Sequence, residues 1–417
     1  MVDYNSTMAQ STGPTRQLRV AHVVPSIGAR WGGPASSVLR TVSALNQAGV
    51  AAEVFTTELA SAASALHVTR LRTEDIAGPT DFPIHVAKVR QPWRLVYAPD
   101  LRRELARRAT EFDIIHIHSL FLYPQYAAFK VARRHHIPYV VSLRGALNPY
   151  LRRHGRVRKA INDLLWQRGM LSGAAAIHLT AARERELVSD IAPHVRRVVI
   201  PNPVEWQDYQ ELPDPRPFVG KFLGGGSPSI VMFLGRISHV KGLHVLIAAF
   251  ARIAPTHPDA ILVIVGPDDE GLSRRLRALA DSLGILSRTK FVGYLGGQEK
   301  LAALASATVW VLPSATENFG VAVVEALAAG IPVIISPGVN ISDDLAEAGA
   351  CVVCDAEPVA LAGAISSLLH NPARRAQLAT AGREAARRFS PESVALQMED
   401  LYRSILAEDL IGKRGTG

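Results

Sequence analysis

Thr308-Val-Trp-Val-Leu312-Pro313-Ser-Ala-Thr-Glu317-Asn-Phe-Gly320-Val-Ala-Val-Val-Glu325-Ala-Leu-Ala-Ala-Gly330 holds a short apolar run, a polar turn and a longer apolar stretch closed by glycine. Thr308–Leu312 predicts a buried strand, and Val321–Ala329 a helix with Gly320 at its start. Strand, turn and helix in that order make one βα unit of a parallel sheet.

The same unit recurs on both sides. At the front, the apolar run Leu18–Pro25 is followed by Gly32-Gly33-Pro34 and by a helical stretch, Ala35–Ala48, that stops at Gly49. Further strands are expected over Ala52–Thr57, Ile84–Val89, Ile114–His118, Tyr139–Leu143, Ala176–Leu179 and Val198–Ile200. After Pro201-Asn-Pro-Val204, the Pro- and Gly-rich stretch Glu211–Ser229 predicts a linker of low order. The period then restarts with strands over Ile230–Leu234, Ile261–Val265, Thr289–Phe291, Thr308–Leu312, Val333–Ile335 and Cys351–Val353. The expected fold is therefore α/β, with two Rossmann-like, doubly wound parallel-sheet domains facing each other across a cleft. Their expected limits are 18–205 and 230–390, with a disordered segment at 1–17, a linker at 206–229 and a final amphipathic helix within 391–417. Ligands of such sheets sit beyond the carboxyl ends of the strands, so those ends are where chemistry is sought.

Composition bounds the function. The 417 residues are 48% hydrophobic and 20% charged, which suits a globular chain with two cores. No apolar run reaches eighteen residues and the start is polar, so a cytoplasmic protein is expected. Residues 1–200 carry 27 Lys/Arg against 14 Asp/Glu, and the remainder 19 against 23, so the net +9 splits as +13 and −4. A basic first half attracts phosphates, anionic polymers or an anionic membrane surface. Aromatic content of 6%, without a basic aromatic strand pattern, speaks against nucleic acid as a partner. Cys351 and Cys354 have no second Cys or His pair at metal-ligand spacing, and read as buried structural thiols.

Glu317 and Glu325 bracket the start of the predicted helix, whose first N–H groups make an anion site. Eight helical rises span roughly 12 Å, the scale of a nucleoside diphosphate bearing a sugar. One carboxylate can then hold sugar hydroxyls and the other a ribose. An acidic first turn with one solvated Glu is served equally well by this stretch alone.

After Ile230–Leu234 comes Gly235-Arg236-Ile-Ser-His-Val-Lys241-Gly242, which puts two cations beyond a strand end. They suit a diphosphate, though a solvated basic turn has the same composition. A metal held by an Asp-x-Asp pair is the usual alternative for neutralising diphosphate, and the chain has no such triplet. Gly32-Gly33 lets backbone amides approach an anion or makes a tight turn. It lacks the spacing of a dinucleotide fingerprint. In Ile114-Ile-His116-Ile-His118 both histidines face one side of a strand. His118, nearer the carboxyl end, is the candidate for a sugar contact, and His116 reads as a satisfied core residue. Gly266-Pro-Asp-Asp-Glu-Gly271 and Phe291-Val-Gly293-Tyr294-Leu295 are strand-end turns suited to a nucleobase edge or to nothing. Leu151–Leu171 reads as a basic amphipathic helix, for an anionic leaflet or for its own sheet.

Together these residues resemble the retaining GT-B glycosyltransferases of family 4, from Leu18 to about Leu406. The marks are Glu317 and Glu325 as E-x(7)-E, Arg236 and Lys241 as G-R-x(4)-K-G, and Gly32-Gly33 as the first-strand glycine loop. The resemblance implies an acceptor-side first domain, a nucleotide-sugar donor domain and a last helix crossing back to the first domain. It puts Glu317 on the donor sugar, main-chain groups of Phe319, Gly320 and Val321 on sugar or phosphate, and Glu325 on the ribose. Arg236 and Lys241 fall on the diphosphate, His118 near the transferred sugar, and Arg144-Gly145 on the acceptor side. Pro201-Asn202-Pro203-Val204-Glu205 is similar to the hinge P-N-G-V-D, with Pro for Gly and Glu for Asp. The expected reaction is transfer with retention to a glycan or lipid-linked hydroxyl, without metal or other cofactor. Bacterial exopolysaccharide, O-antigen or glycolipid synthesis is its expected setting, at the inner face of the membrane if the basic half binds lipid. A nucleotide-sugar epimerase or an inactive partner subunit on the same scaffold is the alternative.

Overall fold

The computed structural model describes residues 16–31, 33–59, 70–147 and 166–414. Seven strands form the first sheet: β1 (Arg19–Val23), β2 (Ala51–Thr57), β3 (Ile84–Ala87), β4 (Ile114–His118), β5 (Tyr139–Ser142), β6 (Ala176–Leu179) and β7 (Arg197–Val199). Six form the second: β8 (Ser229–Leu234), β9 (Ala260–Val265), β10 (Thr289–Gly293), β11 (Val309–Leu312), β12 (Val333–Ile335) and β13 (Val352–Val353). The order is β3-β2-β1-β4-β5-β6-β7 in one and β10-β9-β8-β11-β12-β13 in the other, with parallel pairing throughout. The central strands are apolar because helices cover both faces. Ile230, Val231, Met232 and Phe233 in β8 and Val309, Trp310 and Val311 in β11 are fully buried.

Each sheet reverses direction of winding once, between β1 and β4 and between β8 and β11. A crevice opens at such a switch point. Gly33 follows β1, His118 ends β4, Arg236 and Lys241 follow β8, and Glu317–Glu325 follows β11. The sequence motifs thus sit on the four strands that flank the two crevices.

One expectation fails, that of a linker of low order. Within Glu211–Ser229, Arg216–Leu223 is a helix whose Phe218 and Val219 enter the core of the second domain. Its prolines lie at the first turn and Gly224, at φ 84°, ends it, so residues that looked like breakers are helix punctuation. The last helix, Pro391–Arg414, packs Val394, Ala395, Met398, Leu401, Tyr402 and Ile405 against Val20, Val38 and Leu39 of the first domain. Their spacing puts all six on one face. Burying them contributes roughly 10 kcal/mol of gross apolar transfer. The preceding helix, Pro372–Arg387, stays in the second core through Leu378 and Ala386. The first domain is therefore completed by a helix that follows the second.

Candidate active site

Lys241 Nζ and the Glu317 carboxylate form an ion pair in which both side chains are less than a fifth exposed. The backbone brings them together. Gly242, at φ 69°, lies so close to the loop leading to Glu317 that a Cβ would come 2.0 Å from Pro313 O, and only glycine fits. The Ala315 amide donates to Val240 O at 2.8 Å, and Ser314 Oγ donates to the same oxygen. Glu317 is held from the other side, its amide donating to Gly338 O and its carbonyl accepting from Asn340 N. Arg236, two residues beyond β8, is solvent-exposed and has no carboxylate partner among the described residues.

Gly320 caps the helix Val321–Ala328 at φ 82°, and its carbonyl accepts from the amides of Val323 and Val324. Among the described residues the amides of Val321 and Ala322 have no partner, which leaves a pair of donors at the positive end of the helix. Phe319 is buried edge-on against Phe389, and anchors that turn. More than a turn into the helix, Glu325 is buried and pairs with Lys300 Nζ at 2.9 Å. Lys300 also donates to Tyr209 Oη at 3.0 Å. Burial and the neighbouring Glu325 carboxylate push the Tyr209 hydroxyl pKa up.

The first domain meets this loop directly. A Cβ on Gly33 would lie 3.9 Å from Val321 Cγ2, and one on Gly145 would lie 3.0 Å from the Asn318 side chain. Asn318 Nδ2 donates to Thr180 Oγ1 at 2.8 Å, and Arg183 forms a two-pronged ion pair with Asp343. Thr180 in turn donates to Glu184 Oε1 from its amide and its hydroxyl, at 2.8 and 2.7 Å. Glu184 is fully buried, and burial pushes its carboxyl pKa up against the pull of those donors. Arg144, at φ 51°, donates to Asn202 Oδ1 in the interdomain segment and to His118 Nδ1 at 3.4 Å. Burial lowers the Arg144 pKa to about 10. His118 does not face open space: it is 1% exposed, with Nε2 at 3.0 Å from His22 Nδ1. Burial holds both imidazoles neutral, His22 down to about 3.

The second half of the chain, residues 221–385, matches the family model described as "Glycosyl transferases group 1", and residues 32–203 match "Glycosyl transferase 4-like domain". Phosphatidyl-myo-inositol mannosyltransferase of Mycobacterium leprae is 30% identical over 336 residues, covering 75% of this chain and 79% of that protein. The chain belongs to the GT-B glycosyltransferases of family 4. D-inositol 3-phosphate glycosyltransferase of Corynebacterium urealyticum is 34% identical over 185 residues, but the match spans 43% of this chain and only 44% of that protein. Among solved structures, sucrose-phosphate synthase of Thermosynechococcus elongatus superposes with a TM-score of 0.72 at 23% identity, over 94% of this chain and all of that one. Anabaena HepE in complex with UDP and glucose gives 0.72 at 20% identity, over 93% and 100%. At those identities the likeness establishes the fold.

In this glycosyltransferase the sequence motifs converge in part. Lys241 touches Glu317, Gly33 lies against Val321, and His118 touches Arg144, whose neighbour Gly145 touches Asn318. Gly32 and most of the basic stretch Leu151–Leu171 lie outside the described residues. The residues that sequence reasoning missed are partners rather than motif members: Lys300 and Tyr209 around Glu325, Glu184 and Thr180 against Asn318, and His22 and His178 beside His116 and His118. A usable signal existed for the histidines. β1, β4 and β6 each carry a histidine within an apolar strand, and register places His22 beside His116. Ser142 of β5 stands beside both His118 and His178.

Proposed function

We propose that the enzyme moves a sugar from a nucleoside-diphosphate sugar to a hydroxyl with retention of configuration, and that protein cations and amides rather than a metal neutralise the departing diphosphate. The observation that carries this is the placement of all four motif segments on the strands flanking the two switch points. Arg236, Lys241 and the free amides of Val321 and Ala322 then supply positive charge on the donor side, where charge builds as the glycosidic bond breaks. Glu317 accepts hydrogen bonds from sugar hydroxyls and Glu325 from the ribose, while Gly32 and Gly33 offer backbone amides to phosphate from the first domain. The Lys241–Glu317 pair holds both groups in place until a donor phosphate competes for Lys241. The C1–O bond to the diphosphate breaks as the acceptor oxygen bonds C1 on the same face. The acceptor proton passes to the departing phosphate oxygen. Arg144 serves the acceptor side, with His118 behind it near the transferred sugar.

The acceptor is a glycan or lipid-linked hydroxyl, with polysaccharide or glycolipid synthesis as the setting. Two relatives carry inositol-bearing molecules in their names, so inositol 3-phosphate belongs among the acceptors tried. The charge of residues 1–200 supports docking at an anionic cytoplasmic leaflet. Among the described residues no helix is long and apolar enough to cross a membrane.

A panel of UDP- and GDP-sugars, read by thermal shift and by transfer with and without EDTA, tests the proposal. A donor that raises Tm and is transferred in EDTA with its anomeric configuration kept is the expected result. Loss of activity in EDTA with recovery on adding a divalent ion overturns the metal-free mechanism, and an inverted product overturns retention. Co-sedimentation with phosphatidylglycerol vesicles at low and high salt tests the membrane surface, and no binding at low salt removes it.

A further inference from the structure

Seven hydrogen bonds run head to tail through the interior of the first domain. At one end Arg144 can only donate, and at the other Ile200 O can only accept. His178 Nε2 lies 2.8 Å from Ile200 O and must carry the hydrogen. Its Nδ1 is then an acceptor for the Ser142 hydroxyl at 2.5 Å. Ser142 Oγ therefore accepts from His116 Nε2 at 2.6 Å, which leaves His116 Nδ1 to accept from the Tyr402 hydroxyl at 2.6 Å. The Tyr402 oxygen takes the hydrogen of His22 Nε2 at 3.4 Å, and His22 Nδ1 takes that of His118 Nε2 at 3.0 Å. His118 Nδ1 is left as the acceptor for Arg144 at 3.4 Å. The direction of every bond follows from the two ends, provided each imidazole is neutral, and all four are buried at 1% exposure or less.

Both ends of the chain reach the segment joining the domains, through Ile200 O and, from the other arm of Arg144, Asn202 Oδ1. Its middle link, Tyr402, belongs to the helix that returns from the second domain. We propose that Tyr402 is a positioning residue: its hydroxyl keeps the one-way chain continuous, holds His22, His116, His118 and His178 as their Nε2–H tautomers, and thereby fixes how the buried His118 orients Arg144 beside the loop of the sugar-transfer cleft. The positioning role rests on the proposed transfer reaction, whereas the tautomers do not. His22, His116 and His118 also bring ligand atoms within 4.8 Å of one another, close enough for a transition metal. Each of their ring nitrogens already has a hydrogen-bond partner, and the Arg144 cation stands at the end of the chain, so the hydrogen-bonded arrangement is favoured.

The test is histidine 15N NMR of the full chain without substrate, together with kinetics of Tyr402→Phe. Four buried imidazoles as neutral Nε2–H forms are expected in the native protein, with His22 and His116 losing that single form in the variant. With the donor found above, Tyr402→Phe is expected to lower kcat at least tenfold and to leave the donor KM within twofold. Ser142→Ala, which breaks the chain on a neighbouring strand, is expected to do the same and serves if Tyr402→Phe does not fold. An Nδ1–H tautomer at any of the four histidines, or one zinc per chain that survives EDTA, overturns the chain itself. Unchanged kcat in either variant overturns the positioning role while leaving the transfer reaction standing. Absence of transfer from every donor overturns the transfer reaction, and the positioning role with it, whatever the tautomers show.

Discussion

Lys241 and Glu317 are joined by an ion pair across 76 residues of sequence, between the loop after β8 and the loop after β11. The two strands are neighbours in the sheet, so the pair is a product of the switch point. Removing either partner is expected to lower turnover at least about a hundredfold, because Lys241 neutralises charge as the leaving group departs and Glu317 holds the sugar it departs from. Lys241→Ala and Glu317→Ala should keep their circular dichroism spectra. Near-normal initial rates in either variant would exclude the proposed roles.

Gly242→Ala should destabilise the second domain by about 2 kcal/mol or more, since it combines a left-handed φ with a contact no Cβ tolerates. Denaturant unfolding reads the loss directly. A variant as stable as the parent would mean that the Pro313 loop moves freely, and Lys241 and Glu317 would then not be held together by backbone geometry.

Lys300→Met leaves the Glu325 carboxylate, 8% exposed, without its cation. A loss of about 2 kcal/mol is expected, less than for a fully dry pair because Lys300 retains 21% exposure. Nucleotide binding should weaken as well if Glu325 is the ribose ligand. Isothermal titration with UDP and GDP separates that effect from stability, and unchanged affinity would take Lys300 out of the site.

Acid should unfold the protein early. Burial lowers His22 and His178 to about 3, and His116 and His118 shift the same way, so all four stay neutral when folded and take up protons when unfolded below about 6.5. Their folded-state pKa is depressed, so stability is fully present above 6.5 and falls as pH drops from there toward 3. The slope is up to about 1.4 kcal/mol per pH unit for each histidine. Unfolding free energies at pH 7.5, 6.5 and 5.5 check the sign, and a flat profile would show that these imidazoles are already solvated.

Burial pushes the Cys351 thiol up to about 12, and burial with Asp355 nearby pushes Cys354 to about 11. At pH 8 a thiol reagent should therefore label neither in the native protein and both in denaturant. Rapid native labelling would contradict a structural role.

The sheets were legible because buried parallel strands are nearly continuous apolar runs, and β4, β6 and β12 have the expected limits. Glu317, Gly320 and Glu325 were legible for another reason: a strand, a turn and a helix fix their spacing locally. Lys300, Tyr209 and Glu184 were not. Lys300 and Tyr209 meet partners on distant elements, and Glu184, held locally by Thr180, has a place in the site only through Asn318 of the other domain. His118 was placed correctly at the end of β4, but alternation along one strand says nothing of the histidines on β1 and β6 that enclose it. Glu211–Ser229 failed as a linker because proline and glycine mark helix ends as readily as they mark loops.

The helix Pro391–Arg414 also sets a limit on how this chain matures. While the ribosome is still making residues 206–390, the earlier sheet lacks the apolar face it will be covered by, and the Tyr402 hydroxyl does not yet exist. Its interior histidines lack that partner until the whole second domain and Tyr402 have been made. The part made first is finished after the second.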